Sequence, residues 1–392
     1  MQQRLPSYFD FTNPGHVKLA LLSQGIHVVS KDVFEKPVYA ENQFPYGHSN
    51  REVKNYTKVP AEMLLTKDVY CGLQLRSSSP WKMKAKNDGV GLFYEGTYVM
   101  PLSFIPRPHF YGKQIADGIP SEKVGVLYGS KYVLSFFTRG YCHYFSIGKQ
   151  CKFCSLNPTR KSLGKNNILF ITPAMAKQVT ELAFEEPSDI AYVNHCSGTH
   201  KSNDLGLKFQ IDILKAIVSA TPPGIKQHML TMPPDNLNLL EDLRHAGLGT
   251  INFAIEVFDP KKFQYICEGK NTLYGRDNFF KAYEEAVRVF GKGNVYANFV
   301  GGLESIKTME EGFWYLAERG VAPSINVFHP DPESVFAHVK PPTIEYLFNM
   351  VHAQDAVYKK HHFQPIYPKG GTRNSLDTEV YRGFFSHDEL QH

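Results

Sequence analysis

The feature that most constrains this 392-residue chain is an alternation of β-rich and helical stretches, repeated six times between about residues 132 and 328. The run 132–138 (YVLSFFT) opens it, and Thr172 followed by Pro173 marks the N-cap and first turn of the next helix. A second strand at 189–194 leads to a helix at 205–220, closed by the Thr-Pro-Pro-Gly turn 221–224. The third step pairs 226–232 with an amphipathic stretch at 235–245, where Leu237, Leu240 and Leu243 share one face. Strands at 250–257, 294–300 and 322–328, with helices at 276–290 and 308–319, complete the series. Repeated strand-then-helix units require parallel strands joined by right-handed crossovers. Six of them predict an α/β fold in the form of a partial (β/α)6 TIM-like barrel, open rather than closed at eight strands.

The alternation divides the chain. Residues 1–125 do not follow it; a short apolar helix at 17–22 and β-like runs such as 89–100 predict a β-containing extension or small domain. Prolines 101, 106, 108 and 120 mark an extended linking segment into a core expected at 126–335. Pro341 and Pro342 separate that core from a C-terminal helix at 344–360, and the part from Tyr367 onward is expected to be irregular, within a last unit at 336–392. With 42% hydrophobic residues the chain can bury a large core. Its formal charge of +5 comes without any Lys/Arg run, so nucleic acid is not an expected partner. No apolar stretch approaches the length of a membrane span or a signal core, which predicts a cytoplasmic location.

Chemistry enters with the cysteines. Cys142, Cys151 and Cys154 fall within thirteen residues, after the first strand, while Cys71, Cys196 and Cys267 are scattered. Half of six cysteines in one loop do not form a disulfide framework; reduced thiols offered to a metal are the better reading. A structural zinc or an electron-transfer cluster is normally closed by four protein ligands. Three thiolates on a four-iron cluster leave one iron open, and barrel enzymes keep their active sites at this end of the strands.

The segment 131–330 resembles the radical S-adenosylmethionine superfamily, in which a cysteine loop after strand one holds a [4Fe-4S] cluster that chelates S-adenosylmethionine at its open iron. The most specific piece is Cys151-Lys-Phe-Cys154, with Phe153 in the position that lies against the adenine in that family. The departure is the first spacing, eight residues between Cys142 and Cys151 where three are usual. The resemblance implies cluster ligation by Cys142, Cys151 and Cys154, and a methionine-binding turn at Ser197, Gly198 and Thr199 after strand two. It further implies a polar strand-four residue, Glu256, for the ribose or amino group, and Lys270 for the methionine carboxylate. Asn298 is implied for the ribose, with Gly301 and Gly302 behind the adenine and Val327 and Phe328 flanking it. Each has a plainer alternative: Ser, Gly and Thr suit any turn, Glu256 suits a salt bridge, Lys270 suits solvent, and an apolar pair at a strand end suits the core.

The resemblance implies reductive cleavage of S-adenosylmethionine to a 5′-deoxyadenosyl radical that abstracts hydrogen from a small-molecule substrate. The substrate is expected to be of nucleoside, sugar or amino-acid type, and the electron to come from an external reductant such as a flavodoxin or ferredoxin. Cys196 is the candidate catalytic thiol, as hydrogen-atom or sulfur donor, against the alternative of a buried apolar-like cysteine. His143, Tyr144, His195 and His200 are candidate partners at the same mouth. A peptide-modifying enzyme of the same chemistry, an iron–sulfur electron-transfer module and a zinc-stapled module remain as alternatives.

Overall fold

The computed structural model describes residues 4–29, 39–41, 59–86, 89–162 and 168–386. Helix α1 (Pro14–Gln24) begins where Asn13 Oδ1 accepts the backbone N–H groups of Gly15 and His16, and it stops at Gly25, whose φ of 72° with ψ of −167° suits only glycine. Six strands then form one sheet: β1 (His27–Val28), β2 (Glu62–Leu65), β3 (Val69–Gly72), β4 (Trp81–Lys86), β5 (Gly89–Tyr94) and β6 (Thr97–Phe104). Their spatial order is β1-β4-β5-β6-β2-β3, and every pairing but β1 with β4 is antiparallel. Within the expected N-terminal part, residues 1–3, 30–38, 42–58 and 87–88 lie outside the described residues.

The second sheet holds the site. Its strands are β7 (Gly125–Leu127), β8 (Val133–Arg139), β9 (Tyr192–Ser197), β10 (Lys226–Thr231), β11 (Thr250–Glu256), β12 (Val295–Gly301) and β13 (Val321–Val327), side by side in chain order. From β8 to β13 every neighbouring pair is parallel, while β7 adds an antiparallel edge. The connecting helices are α2 (His143–Ser146), α3 (Leu156–Ser162), α4 (Pro173–Phe184), α5 (Asn203–Ala220), α6 (Leu239–His245), α7 (Pro260–Ile266), α8 (Glu268–Leu273), α9 (Arg276–Phe290) and α10 (Ile306–Ala317), followed by α11 (Ile344–His361) and α12 (Asp377–Tyr381). Thr172 caps α4 through the backbone N–H of Met175, as the Thr-Pro signal predicts. Helix α9 shows how a helix docks: it buries Phe279, Ala282, Tyr283, Ala286 and Phe290, one 3.6-residue stripe, and Tyr283 donates from its hydroxyl to the Phe253 carbonyl at 2.6 Å. The finding is a mixed α/β fold with the expected strand-then-helix order.

The segment after α11 departs from a free irregular tail. Little of it is regular, yet most of residues 363–380 is buried. Gln364 accepts the Tyr296 hydroxyl near the start of β12, and the Tyr367 ring meets Tyr192 edge-on near the start of β9, so this part crosses the N-terminal end of the sheet. Further on, Asn374 accepts the Val327 N–H, Asp377 accepts from Ser324 and the Ile325 N–H, and Thr372 lies against Gly129. The segment thereby spans from β13 to the turn before β8. Backbone bonds, polar side chains and a few unevenly spaced apolar side chains such as Phe363, Leu376 and Val380 hold it, which is why hydrophobic periodicity did not reveal it.

Two buried ion pairs pin this segment to the N-terminal part. Lys18 Nζ lies 3.0 Å from Glu379 and also donates to the Thr372 carbonyl, and Arg373 lies 2.7 Å from Glu62. Burial raises both carboxylates toward the neutral form, and the paired cation opposes that in each case. Removing one partner strands a charge in the interior at a cost of about 3–5 kcal/mol. Lys18→Met is therefore expected to lower denaturant-measured stability by that amount, with Lys18→Met/Glu379→Leu recovering most of it. An unchanged midpoint in the single variant would show that Lys18 does not anchor the C-terminal segment.

Candidate active site

Alternation along the parallel strands turns one face of the second sheet into a cavity wall. Asn194 and Cys196 on β9, His228 and Leu230 on β10, Asn252, Ala254 and Glu256 on β11, Asn298 and Val300 on β12, and Ser324 and Asn326 on β13 all face a cavity of about 360 Å³. The intervening residues, such as Phe253 and Ile255, pack outward in the core. The C-terminal segment closes part of the cavity with Ile366, Tyr367 and Thr372, and the cysteine loop supplies another part of its lining.

That loop is built around the long first spacing. After Cys142 the chain makes the helical turn α2, and Gly148, at φ 67°, redirects it toward Cys151. Asn157 braces the loop from both sides, accepting the Cys142 N–H at 2.8 Å and donating to the Cys142 carbonyl at 3.1 Å. Lys152 N–H donates to Ile266 at the end of α7, and the Cys154 N–H donates back to Cys151. Two glycines allow the close approach: a Cβ on Gly269 would sit 2.6 Å from the Lys149 carbonyl and the Tyr144 ring, and one on Gly198 would clash with the Tyr141 carbonyl. Gly198 is thus needed by the cysteine loop itself.

Cys142, Cys151 and Cys154 all line the cavity. Among the described residues, no group of three or more His, Cys, Asp or Glu side chains is gathered at the spacing of a single metal ion. As a donor set the three thiols suit an iron–sulfur cluster, and Cys151 is already biased toward the ligating thiolate. Cys267 donates its S–H to Cys151 and Lys270 lies nearby; together these hold Cys151 below the usual thiol value, against burial. Burial and the same contact push Cys267 well above it.

The candidates at the ends of β11 to β13 form one polar chain. Lys270 Nζ sits 2.6 Å from Glu256 Oε1 and donates to the Ala254 carbonyl; Asn298 donates to Glu256 Oε2 at 3.4 Å and accepts from Asn326 at 3.0 Å. Glu256 has φ 69°, an uncommon conformation for a non-glycine residue, at the point where the register of β11 against β12 shifts. Lys270 is neither solvated nor free. Burial acting alone would lower it, but Glu256 and the thiols of Cys151 and Cys267 hold it raised.

Other candidates divide between the cavity and the core. Phe153, Cys196, Ser197, Gly198, Thr199, Val327 and Phe328 line the cavity, as does Tyr144. Burial pushes the Cys196 thiol up to about 12, so it stays protonated as S–H. Gly301 and Gly302 are not in the cavity lining: a Cβ on Gly301 would meet Met350 Sδ at 2.5 Å, and Gly302, at φ 108°, lies against Pro342, so both serve the seat of α11 and the chain before it. His195 points to the opposite face of β9, fully buried, with Nε2 2.9 Å from Gln227 Oε1. His200 Nδ1 bonds within the turn before α5, to Ser202, and His143 bonds to Ser146; neither lines the cavity. Asn252, Tyr367, Thr372 and Arg160, all cavity-lining, were not legible in the sequence, because an isolated polar residue outside a motif carries no spacing signal.

No protein-family model matches the chain. A bacteriochlorophyllide c C-7(1)-hydroxylase from Chlorobaculum limnaeum is 33% identical over 116 residues, which is 29% of this chain and 29% of that protein. Coproporphyrinogen III oxidase (HemN) from Escherichia coli, a radical SAM enzyme, superposes with a TM-score of 0.38 at 15% identity, over 59% of this chain and 52% of that one. A radical SAM methyltransferase from Sphaerobacter thermophilus gives 0.42 at 10% identity, over 77% and 82%. The radical S-adenosylmethionine methyltransferase TsrM from Kitasatospora setae gives 0.40 at 12% identity, over 66% and 60%. The solved structures similar to this chain include radical S-adenosylmethionine enzymes. Scores this low leave the functional argument to the residues themselves.

Two buried histidines give the region a pH signature. Burial lowers His195 to about 4, with the Gln227 contact opposing, and burial followed by the proximity of His195 lowers His228 to about 3. The unfolded value is near 6.5, so each folded pKa is depressed. Their contribution is intact above about pH 6.5 and lost as pH falls toward about 4 and 3. Thermal melts are expected to fall below pH 6.5, and His195→Gln to show a shallower fall. Identical pH profiles for the two proteins would contradict this assignment.

Proposed function

We propose that this chain is a radical S-adenosylmethionine enzyme whose second sheet serves as an open (β/α)6 barrel, with Cys142, Cys151 and Cys154 holding a [4Fe-4S] cluster over the cavity. The observation that carries the reading is the convergence of three thiols, and no fourth from their loop, on the cavity that the inward face of the parallel strands also lines. Such a cluster, when bound, takes S-adenosylmethionine at its open iron and, given an electron by an external reductant such as a flavodoxin or ferredoxin, supplies the 5′-deoxyadenosyl radical that abstracts a substrate hydrogen.

The chain's own residues do the placing. The Ser197-Gly198-Thr199 turn offers backbone polar groups beside Cys142, to which it is tied by the His143 N–H bonded to the Thr199 carbonyl. Glu256, fixed by Lys270, presents a carboxylate toward the ribose or amino group, and Asn298 extends that edge. Lys270 acts here by orienting Glu256, and Phe153, Val327 and Phe328 give an apolar bed for the adenine. Cys196 lines the cavity with its thiol protonated, the S–H resting on the Phe136 carbonyl at 3.7 Å, and serves as the hydrogen-atom donor in this reading. Apolar neighbours keep water from the reacting atoms.

The substrate is a small molecule, and the nucleoside, sugar and amino-acid classes remain within this reading. A second reading takes its cue from the hydroxylase relative: functionalisation of a carbon on a larger apolar molecule of bacteriochlorophyllide type. Phe137, Leu230, Met232, Val300 and Ile366 in the cavity wall favour it. Anaerobic reconstitution with reductant and S-adenosylmethionine tests the shared chemistry. We expect about four irons per chain, formation of 5′-deoxyadenosine, and loss of both in Cys142→Ala, Cys151→Ala and Cys154→Ala, with iron retained in Cys71→Ala. With substrate present, Cys196→Ser is expected to keep forming 5′-deoxyadenosine while losing product. Full iron content in any of the three loop variants would refute the ligand set.

A further inference from the structure

Among the described residues, three polar atoms of the cavity lining are buried without a hydrogen-bond partner: Asn252 Oδ1, Thr372 Oγ1 and, after β13, His329 Nδ1. Asn252, on β11 and only 2% exposed, lines the cavity, and its Oδ1 has no hydrogen-bond partner. Thr372, on the C-terminal segment, presents a buried Oγ1 in the same condition. A buried acceptor without a donor is a standing cost to the folded chain, and natural structures seldom keep one without a use. Nearby polar groups show the contrast. Asn194 donates to Ser135, Asn298 and Asn326 bond to one another, and Asp377 is saturated by Ser324, Gln354 and the Ile325 N–H. The network that satisfies its own members stops short of Asn252.

The electrostatic setting selects what can complete it. Glu256 is neutralised by Lys270, and His228, on the strand beside Asn252, is kept uncharged by burial. A carboxylate or phosphate brought to Asn252 would meet an acceptor oxygen, while the guanidinium among the lining residues, Arg160, lies over the Phe137 ring on β8. A neutral N–H or O–H would meet its complement. The surrounding wall, with Leu230, Ala254 and Val300 on the strands and Ile366 and Tyr367 opposite, suits an apolar body attached to that donor.

We infer that Asn252 is the substrate-positioning residue of this cavity, accepting a hydrogen bond from a neutral N–H or O–H on an otherwise apolar molecule, with Thr372 as a second polar contact. This rests on reading the cavity as the substrate site and deepens it by naming a substrate class. The class excludes molecules anchored there by a carboxylate or phosphate.

A matched pair of probes tests it on the reconstituted 392-residue chain. 1-Naphthol carries an O–H donor on a flat apolar body, and 1-methoxynaphthalene is the same body without the donor; binding of both is read by fluorescence titration. The wild-type chain is expected to prefer 1-naphthol by about tenfold, the size of one neutral hydrogen bond, and Asn252→Leu to lose that preference. Asn252→Leu is also expected to raise the ligand-free melting temperature, since it removes an unmet polar group at similar volume. Three results would each overturn the inference: no preference in wild type, including no binding of either probe; a preference that survives in Asn252→Leu; or a lower melting temperature in that variant. Formation of 5′-deoxyadenosine is a separate readout. Its absence would remove the radical chemistry, whereas failure of the naphthol preference with cleavage intact would remove only the role of Asn252.

Discussion

Every functional element here depends on the shared register of six parallel strands. Because side chains alternate along a strand, pairing His228 with Thr250, and Asn252 with Tyr296, commits Asn194, Cys196, Asn252, Glu256, Asn298 and Asn326 to one face together. A one-residue slip in any strand would send that strand's members into the helical layer. The same parity carries His195 away from the cavity and into contact with Gln227. Register therefore decides which of two adjacent residues, His195 or Cys196, is available for chemistry.

Two close backbone approaches convert that face into a site. The cysteine loop crosses the β9 turn where Gly198 has no side chain, and rests on α8 where Gly269 has none. Backbone hydrogen bonds complete the seat: His143 to Thr199, Gly198 to Arg139, and Lys152 to Ile266. Eight residues between the first two cysteines pose no obstacle, because the α2 turn and Gly148 take up the added length. The C-terminal segment, anchored by the Lys18–Glu379 and Arg373–Glu62 pairs, then bridges from β13 toward β8. Residues far apart in the chain thus share one enclosure.

The sequence made some of this legible and hid the rest for physical reasons. Strand and helix positions in the core emerged because apolar spacing and the Thr172-Pro173 cap are local signals, and the cysteine loop was visible because thiols are scarce. The pairing of Lys270 with Glu256 was not legible as such, since it joins a helix to a strand end fourteen residues away and needs the bulge at Glu256 to form. Gly301 and Gly302 read as ligand-facing glycines, yet their missing side chains make room for Met350 and Pro342. Asn252 was silent because an unmet carbonyl oxygen is a property of three-dimensional surroundings. The closure of the cavity by residues 364–378 was equally hidden, since Ile366, Tyr367 and Thr372 lie in a segment with no helix or strand periodicity.

The central claim is that three thiols leave an open iron where S-adenosylmethionine can bind. Electron paramagnetic resonance of the reconstituted, reduced protein tests it most directly, recorded with and without S-adenosylmethionine. A [4Fe-4S]⁺ signal whose g-values shift on addition of S-adenosylmethionine is the expected result. A cluster signal unchanged by S-adenosylmethionine at saturating concentration, or a protein that binds zinc and forms no cluster, would contradict it.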